Sequence, residues 1–185
     1  MKSVSLIFGT EAKVKIMRLF IFNPGLTFTP IEVASRTKER PAMARRELRI
    51  LTKAGLIKRR AKGFTLDSSY QYLPAIETFL IDAAPITPKE IIKKISRAGN
   101  IKLILISGVF LHNLDSRVDI LVVGDRLRQV KLLSAISSIE AQLGKELRYS
   151  AFDTLDFQYR LSIYDKLLRD ILDYPHEKIL NKLGI

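Results

Sequence analysis

Cysteine is absent from the 185 residues, which excludes disulfides, thiolate metal sites and a cysteine nucleophile and fits a reducing compartment. Histidine is nearly absent: His112 and His176 stand far apart, and neither has another His or Cys at metal-ligand spacing. No long apolar run occurs. The longest, Leu103 to Leu111, falls well short of the roughly 20 residues that cross a bilayer. The opening MKSVSLIFGTEAKVK has too short an apolar patch, and no small-residue cleavage site, for a secretory signal. A cytoplasmic protein with no membrane partner is therefore expected. There is no P-loop and no Gly-rich dinucleotide fingerprint, and no cofactor is expected.

Acidic residues are scarce as well, and unevenly so. The formal net charge is +12; residues 1–72 hold 15 Lys and Arg against 5 Asp and Glu, whereas residues 73–185 hold 16 against 14. Such asymmetry suggests a polyanion partner for the first part of the chain and another task for the rest. With 47% hydrophobic and 27% charged residues the chain can bury a proper core, and its length suits one large or two small domains.

The cations concentrate between Arg36 and Ser68. Pro41 suits a first helical position and Gly55 the position past a last one; between them Ala44, Leu48 and Leu51 form one helical stripe. Arg46, Arg49 and Lys53 then project from the opposite side, with Arg45 on the flank. Leu56 and Ile57 begin a strand ending in Lys58, Arg59 and Arg60, Ala61-Lys62-Gly63 turns the chain, and Phe64-Thr65-Leu66 returns. Upstream, residues 11–22 read as a first helix, with Val14, Met17, Leu19, Phe20 and Ile21 inward and Lys13, Lys15 and Arg18 between them, stopped by Asn23-Pro24-Gly25. Leu26-Thr27-Phe28 is extended and suited to pair with the hairpin. Thr29-Pro30 opens a second helix with Ile31 and Ala34 inward and Val33 at the edge, and the turn Lys38-Glu39-Arg40 adds two more cations.

This order, with the tract Leu48-x-x-Leu51-x-x-Ala54-Gly55-Leu56-Ile57, resembles the winged helix-turn-helix domains of the arsenic-repressor-like and multidrug-regulator-like transcriptional regulators. The resemblance covers roughly the first 72 residues. It implies a three-helix bundle with a β-hairpin wing, double-stranded DNA as partner, and a homodimer. A helix fits the major groove, where arginine can bond both acceptors of guanine. Arg45, Arg46 and Arg49 are the base-edge candidates. Lys38, Arg40, Lys53, Lys58, Arg59, Arg60 and Lys62 are candidates for phosphate or minor-groove contacts.

Tyr70 to Ala84 reads as a further helix with Ile76, Phe79, Leu80 and Ala83 inward, either a connector (73–87) or a dimer element, and Pro85 and Pro88 come after it. From 88 onward the expected order is helix (Pro88–Ala98), strand (Ile101–Gly108), strand (Val118–Val123), helix (Arg126–Gln142), strand (Glu146–Phe152) and a long helix from Thr154 to Pro175. Unbroken runs such as IKLILISG and VDILVV argue for central strands covered on both faces. The last ten residues are left as helix or strand.

Gly108 followed by Ser116-Arg117-Val118-Asp119 and a strand resembles the small, minimal type of the nucleotidyltransferase superfamily. The resemblance covers residues 88–174 and implies an α/β mixed sheet with flanking helices, giving an α+β two-domain protein (1–72 and 88–185). That chemistry needs two carboxylates at i and i+2 sharing a divalent metal. Here Val109 stands where serine is expected and Arg117 where the first aspartate is expected; only Asp119 matches, and Arg148, Tyr149 and Ser150 supply no carboxylate. Either Arg117 neutralises Asp119 in a metal-free pocket, or Asp119 is a strand residue satisfied by a turn. The leading expectation is a DNA-binding regulator whose second domain is catalytically degenerate and serves assembly or the sensing of a small-molecule or nucleotide ligand. Its rivals are a metal-dependent nucleotidyltransferase of the toxin-antitoxin kind and a binder of structured RNA.

Overall fold

The computed structural model describes residues 2–83, 85–111, 113 and 115–185; His112, and Ala84 at the end of the expected connector helix, lie outside the described residues. Among them the chain is mixed α/β, with nine helices, a three-stranded sheet and a four-stranded sheet. It divides into two compact units, the first comprising residues 1–87 with 137–146 and the second 88–136 with 147–185.

The first unit runs α1 (Lys2–Phe8), α2 (Glu11–Ile21), β1 (Thr27–Phe28), α3 (Pro30–Thr37), α4 (Pro41–Lys53), β2 (Ile57–Arg60), β3 (Gly63–Leu66) and α5 (Leu73–Asp82). Helix α1 adds to the expected helices, and α5 lies within the helix expected from Tyr70 to Ala84. Strands β2 and β3 form an antiparallel hairpin, and β1 adds antiparallel to β3 with Thr27 opposite Thr65. The hydroxyl of Thr10 caps α2 by accepting from the Lys13 N–H; Thr29 and Glu32 close a reciprocal capping box on α3, which holds the Glu32 carboxyl below its usual range.

Helix α2 is buried almost all round, and with Phe28, Val33, Ala44, Leu48, Leu51, Ile57 and Leu80 it builds the core of this unit. Each such Leu, Ile or Phe contributes about 1.5–3 kcal/mol by leaving water. Three side chains depart from the sequence reading. Ile31 is 74% exposed, because the inward face of α3 is Val33, Ala34 and Thr37, the last held by a hydroxyl bond to the Val33 carbonyl. Phe79 is 41% exposed, although its ring meets that of Phe8. Arg18 is buried: its guanidinium donates to the Ala83 carbonyl, lies over the Phe22 ring, and is pushed down to about 10 by desolvation.

The second unit runs α6 (Pro88–Ile95), β4 (Asn100–Ser107), a short 3-10 turn (Gly108–Leu111), β5 (Ile120–Asp125), α7 (Gln129–Leu143), β6 (Tyr149–Phe152), α8 (Thr154–Ser162), α9 (Lys166–Asp173) and β7 (His176–Asn181), with α7 grouped from Ser137 onward with the first unit. The sheet order is β6-β5-β4-β7; β4 pairs antiparallel with both β5 and β7, and β5 pairs parallel with β6. Leu103, Leu105, Leu121 and Val123 pack with Phe157, Leu168 and Ile171 of α8 and α9. The alternate residues Ile104, Ile106, Ile120 and Val122 are equally buried, so both faces of the central strands are covered.

Several element readings are corrected. Helix α6 stops at Ile95, where the chain tightens through an Ala98 N–H to Ile95 bond. Helix α7 starts at Gln129 rather than Arg126, because Arg126 has left-handed backbone (φ 54°) and Arg128 gives its N–H to the Ala98 carbonyl. The expected long helix is two: Tyr164 turns left-handed (φ 53°), the Asp165 N–H closes back on the Arg160 carbonyl, and the Asp165 carboxylate caps α9. Sequence periodicity persists across that break because both helices face the same core. The C-terminal segment, left open, is the strand β7.

Candidate functional site

All ten cations singled out in the first unit are exposed. Arg45, Arg46, Arg49 and Lys53 span roughly 100° of the α4 surface at about 100° per residue. The buried arc of Ala44, Glu47, Leu48 and Leu51 lies opposite. Burying that arc leaves the cations nowhere to go but outward.

One glycine sets the path of the chain out of α4. Gly55 takes left-handed backbone (φ 85°), its N–H bonds the Thr52 carbonyl, and the Leu56 N–H bonds the Leu51 carbonyl, the double closure of a Schellman end. Leu56 then drops into the core, and the chain passes directly into β2. Lys58, Arg59 and Arg60 lie along β2, and Lys62 is in the turn before β3. At that turn Gly63 passes so close to the Phe28 carbonyl that a Cβ would overlap it, which keeps the hairpin against β1. Lys58 reaches Asp67 at 2.7 Å; among the described residues the other nine cations have no carboxylate partner.

The turn between α3 and α4 is tight for a similar reason. Lys38 is left-handed (φ 54°), and the Glu39 N–H returns to the Ala34 carbonyl, so Arg40 arrives as the N-cap of α4 with Pro41 next. Glu39 faces Lys15 at 2.8 Å rather than its cationic neighbours. The sequence reading missed Glu47. It is 1% exposed on α4, accepts from the Thr10 hydroxyl at 3.1 Å and lies 3.7 Å from the Lys13 ammonium, leaving Oε2 without a hydrogen bond. Its place on the inward arc was legible from spacing, since it falls between Ala44 and Leu48; its half-buried partners Thr10 and Lys13 were not.

In the second unit Gly108 (φ 56°) and Asp119 meet at the end of β4, and a Cβ on Gly108 would overlap the Asp119 carboxylate. Asp119 is 1% exposed; Oδ1 accepts from the Val109 N–H at 2.9 Å and Oδ2 from the Arg148 N–H at 2.8 Å. Of the two alternatives for Asp119, the Arg117 pair is not formed, and the turn after β4 supplies one of its partners through the Val109 N–H. Arg117 pairs with Asp170 at 3.3 Å, and the guanidinium on Asp119 is that of Arg148, also at 3.3 Å. The cause is register: parallel pairing sets Ile120 beside Tyr149, which brings the preceding residues, 119 and 148, together.

No protein-family model, curated protein or solved structure matches this chain. The site must therefore be read from its own chemistry. Among the described residues no three His, Cys, Asp or Glu side chains gather to hold a metal ion, and no helix is long and apolar enough to cross a membrane.

Proposed function

We propose that the first unit binds double-stranded DNA in a sequence-specific way, as a winged helix-turn-helix regulator does. The observation that carries this is the gathering of Arg45, Arg46, Arg49 and Lys53 on the outer arc of α4, followed at once by the hairpin cations Lys58, Arg59, Arg60 and Lys62. In this reading α4 enters the major groove, where Arg45, Arg46 and Arg49 meet base edges, and the hairpin and the turn cations Lys38 and Arg40 hold phosphates. One such module offers few base contacts, so the working species is a homodimer on two half-sites. The test is selection of bound oligonucleotides from a random pool, followed by gel shift of Arg46→Gln/Arg49→Gln. Enrichment of a motif whose recognition the double variant loses supports the proposal; a pool that stays random removes sequence specificity from it.

For the second unit we propose a nucleotidyltransferase-like fold without the metal-dependent reaction, retained for assembly or ligand sensing. Supporting this, both oxygens of Asp119 are taken by backbone N–H groups and Arg148, and no carboxylate stands two residues before it. Asp119 acts there as a clamp joining the turn after β4 to the start of β6. Metal-dependent labelling of a substrate from a nucleoside triphosphate, lost in Asp119→Asn, would overturn this part.

A further inference from the structure

The near-neutral count of residues 73–185 conceals a segregation of charge. No acidic residue occurs between Glu90 and Asp115, or between Asp125 and Glu140, while these stretches hold Lys93, Arg97, Arg126, Arg128 and Lys131. Residues 153–173, by contrast, contain Asp153, Asp156, Asp165, Asp170 and Asp173.

The fold brings the basic stretches to one place. Asn100 and Asp125 are paired at the start of β4 and the end of β5, the sheet end opposite Gly108 and Asp119. Across that end the loop after α6 and the loop before α7 are locked together. The Arg128 N–H donates to the Ala98 carbonyl at 2.7 Å, and its guanidinium donates to the Arg97 carbonyl at 3.0 Å. Gly99 lies so close to the Asp125 and Arg126 carbonyls that a Cβ would sit 2.9 Å from both. Arg97, Arg126, Arg128 and Lys131 are all exposed, and among the described residues none of them is paired with a carboxylate. Asp125, the acid next to Arg126 in sequence, is half-buried and accepts from the Asn100 amide.

From this we infer that the Arg97–Arg126–Arg128–Lys131 end of the second unit is a second, sequence-independent contact surface for the phosphodiester backbone of duplex DNA. The inference rests on the DNA reading of the first unit and extends it. Several like charges, held without counter-charges on two hydrogen-bonded loops and the first turn of α7, repel one another, and that repulsion is relieved when they bind a polyanion and its counterions are released. Residues 93–100 and 125–131, which supply the surface, contain no aromatic side chain for stacking bases, and this fits duplex phosphates rather than splayed single strands.

The test uses the full chain and a duplex of about 40 base pairs containing the selected motif, with affinity measured against salt. Each phosphate contact contributes about 0.9 to the slope of log affinity against log salt. The variant Arg97→Gln/Arg126→Asn/Lys131→Gln should lower the slope by about 2 to 3 while leaving motif preference unchanged, and Arg97→Lys/Arg126→Lys/Lys131→Arg should restore it. Matching thermal unfolding of both variants excludes a folding effect. Wild-type protein that binds duplex while the neutralised variant keeps the full slope overturns this inference and leaves the DNA reading standing. Wild-type protein that binds no duplex overturns both, and a slope loss seen only with structured RNA overturns the duplex assignment and gives the surface to RNA instead.

Discussion

Arg148 lays its guanidinium on the buried Asp119 carboxylate, 3.3 Å away, while its own backbone N–H bonds the same Oδ2 at 2.8 Å. The two halves of this contact differ in worth. The Arg148 side chain is 52% exposed, so water screens its charge, whereas the backbone bonds to Asp119 are sheltered. Arg148→Met is expected to cost about 1–2 kcal/mol of second-unit stability. Asp119→Asn is expected to cost more, about 2–4 kcal/mol, because an amide nitrogen would face an N–H donor in a buried site. Urea unfolding of both variants checks the order; an Arg148→Met cost that exceeds the Asp119→Asn cost would show that the charge pair, not the backbone clamp, holds the turn.

This contact also marks where sequence reasoning stops. Gly108, Asp119 and the strand runs could be found by pattern, since IKLILISG and VDILVV are apolar at almost every position that the sheet buries on either face. The cationic partner of Asp119 could not, although the alternative of a turn satisfying it foresaw the Val109 N–H. Arg117 is close in sequence, but Arg148 is close in register, and register follows from parallel strand pairing that no local spacing encodes. The exposed cations of α4 and its hairpin were legible because amphipathic spacing alone turns them outward. Arg18 was misread for the converse reason: α2 is enclosed on nearly all sides, so a charge at a nominally polar position is buried too.

Glu47 and Lys13 present the opposite balance. The carboxylate is desolvated and one oxygen lacks a hydrogen bond, so its removal with an apolar side chain of similar size should be neutral or stabilising. Glu47→Met is expected to hold or raise first-unit stability by up to about 2 kcal/mol, whereas Lys13→Met, which leaves the buried carboxylate without its cation, is expected to lower it by about 1–3 kcal/mol. Thermal unfolding distinguishes them. A Glu47→Met variant that unfolds at a lower temperature than Lys13→Met would mean that the Thr10 bond outweighs desolvation.

Asp67 gives the hairpin a pH dependence. Its carboxyl is held down to about 2, chiefly by the Lys58 ammonium, then by the Ser69 hydroxyl and N–H. A carboxyl depressed on folding contributes stability that is full above its ordinary value near 3.8 and is lost as pH falls toward 2. The melting temperature should therefore drop between about pH 5 and pH 2 with an Asp67 component that is missing in Asp67→Asn. The same variant frees Lys58, so its duplex binding should steepen in salt dependence by up to about 0.9. A pH profile identical in wild type and variant would remove the ion pair from the account.

Lys38 separates folding from binding. Its left-handed backbone closes α3 on the Ala34 and Ser35 carbonyls, a conformation that costs a residue with a Cβ about 1 kcal/mol and glycine almost nothing. Lys38→Gly should thus stabilise the first unit by up to about 1 kcal/mol. It also removes a cation from the turn that presents α4, so on the DNA reading the salt slope should fall by up to about 0.9 without loss of motif preference. Lys38→Gln keeps the strain and loses the charge, and should share the binding change without the gain in stability. If both variants bind duplex as wild type does while only the glycine form melts higher, Lys38 serves the turn alone and the phosphate contact belongs to its neighbour Arg40.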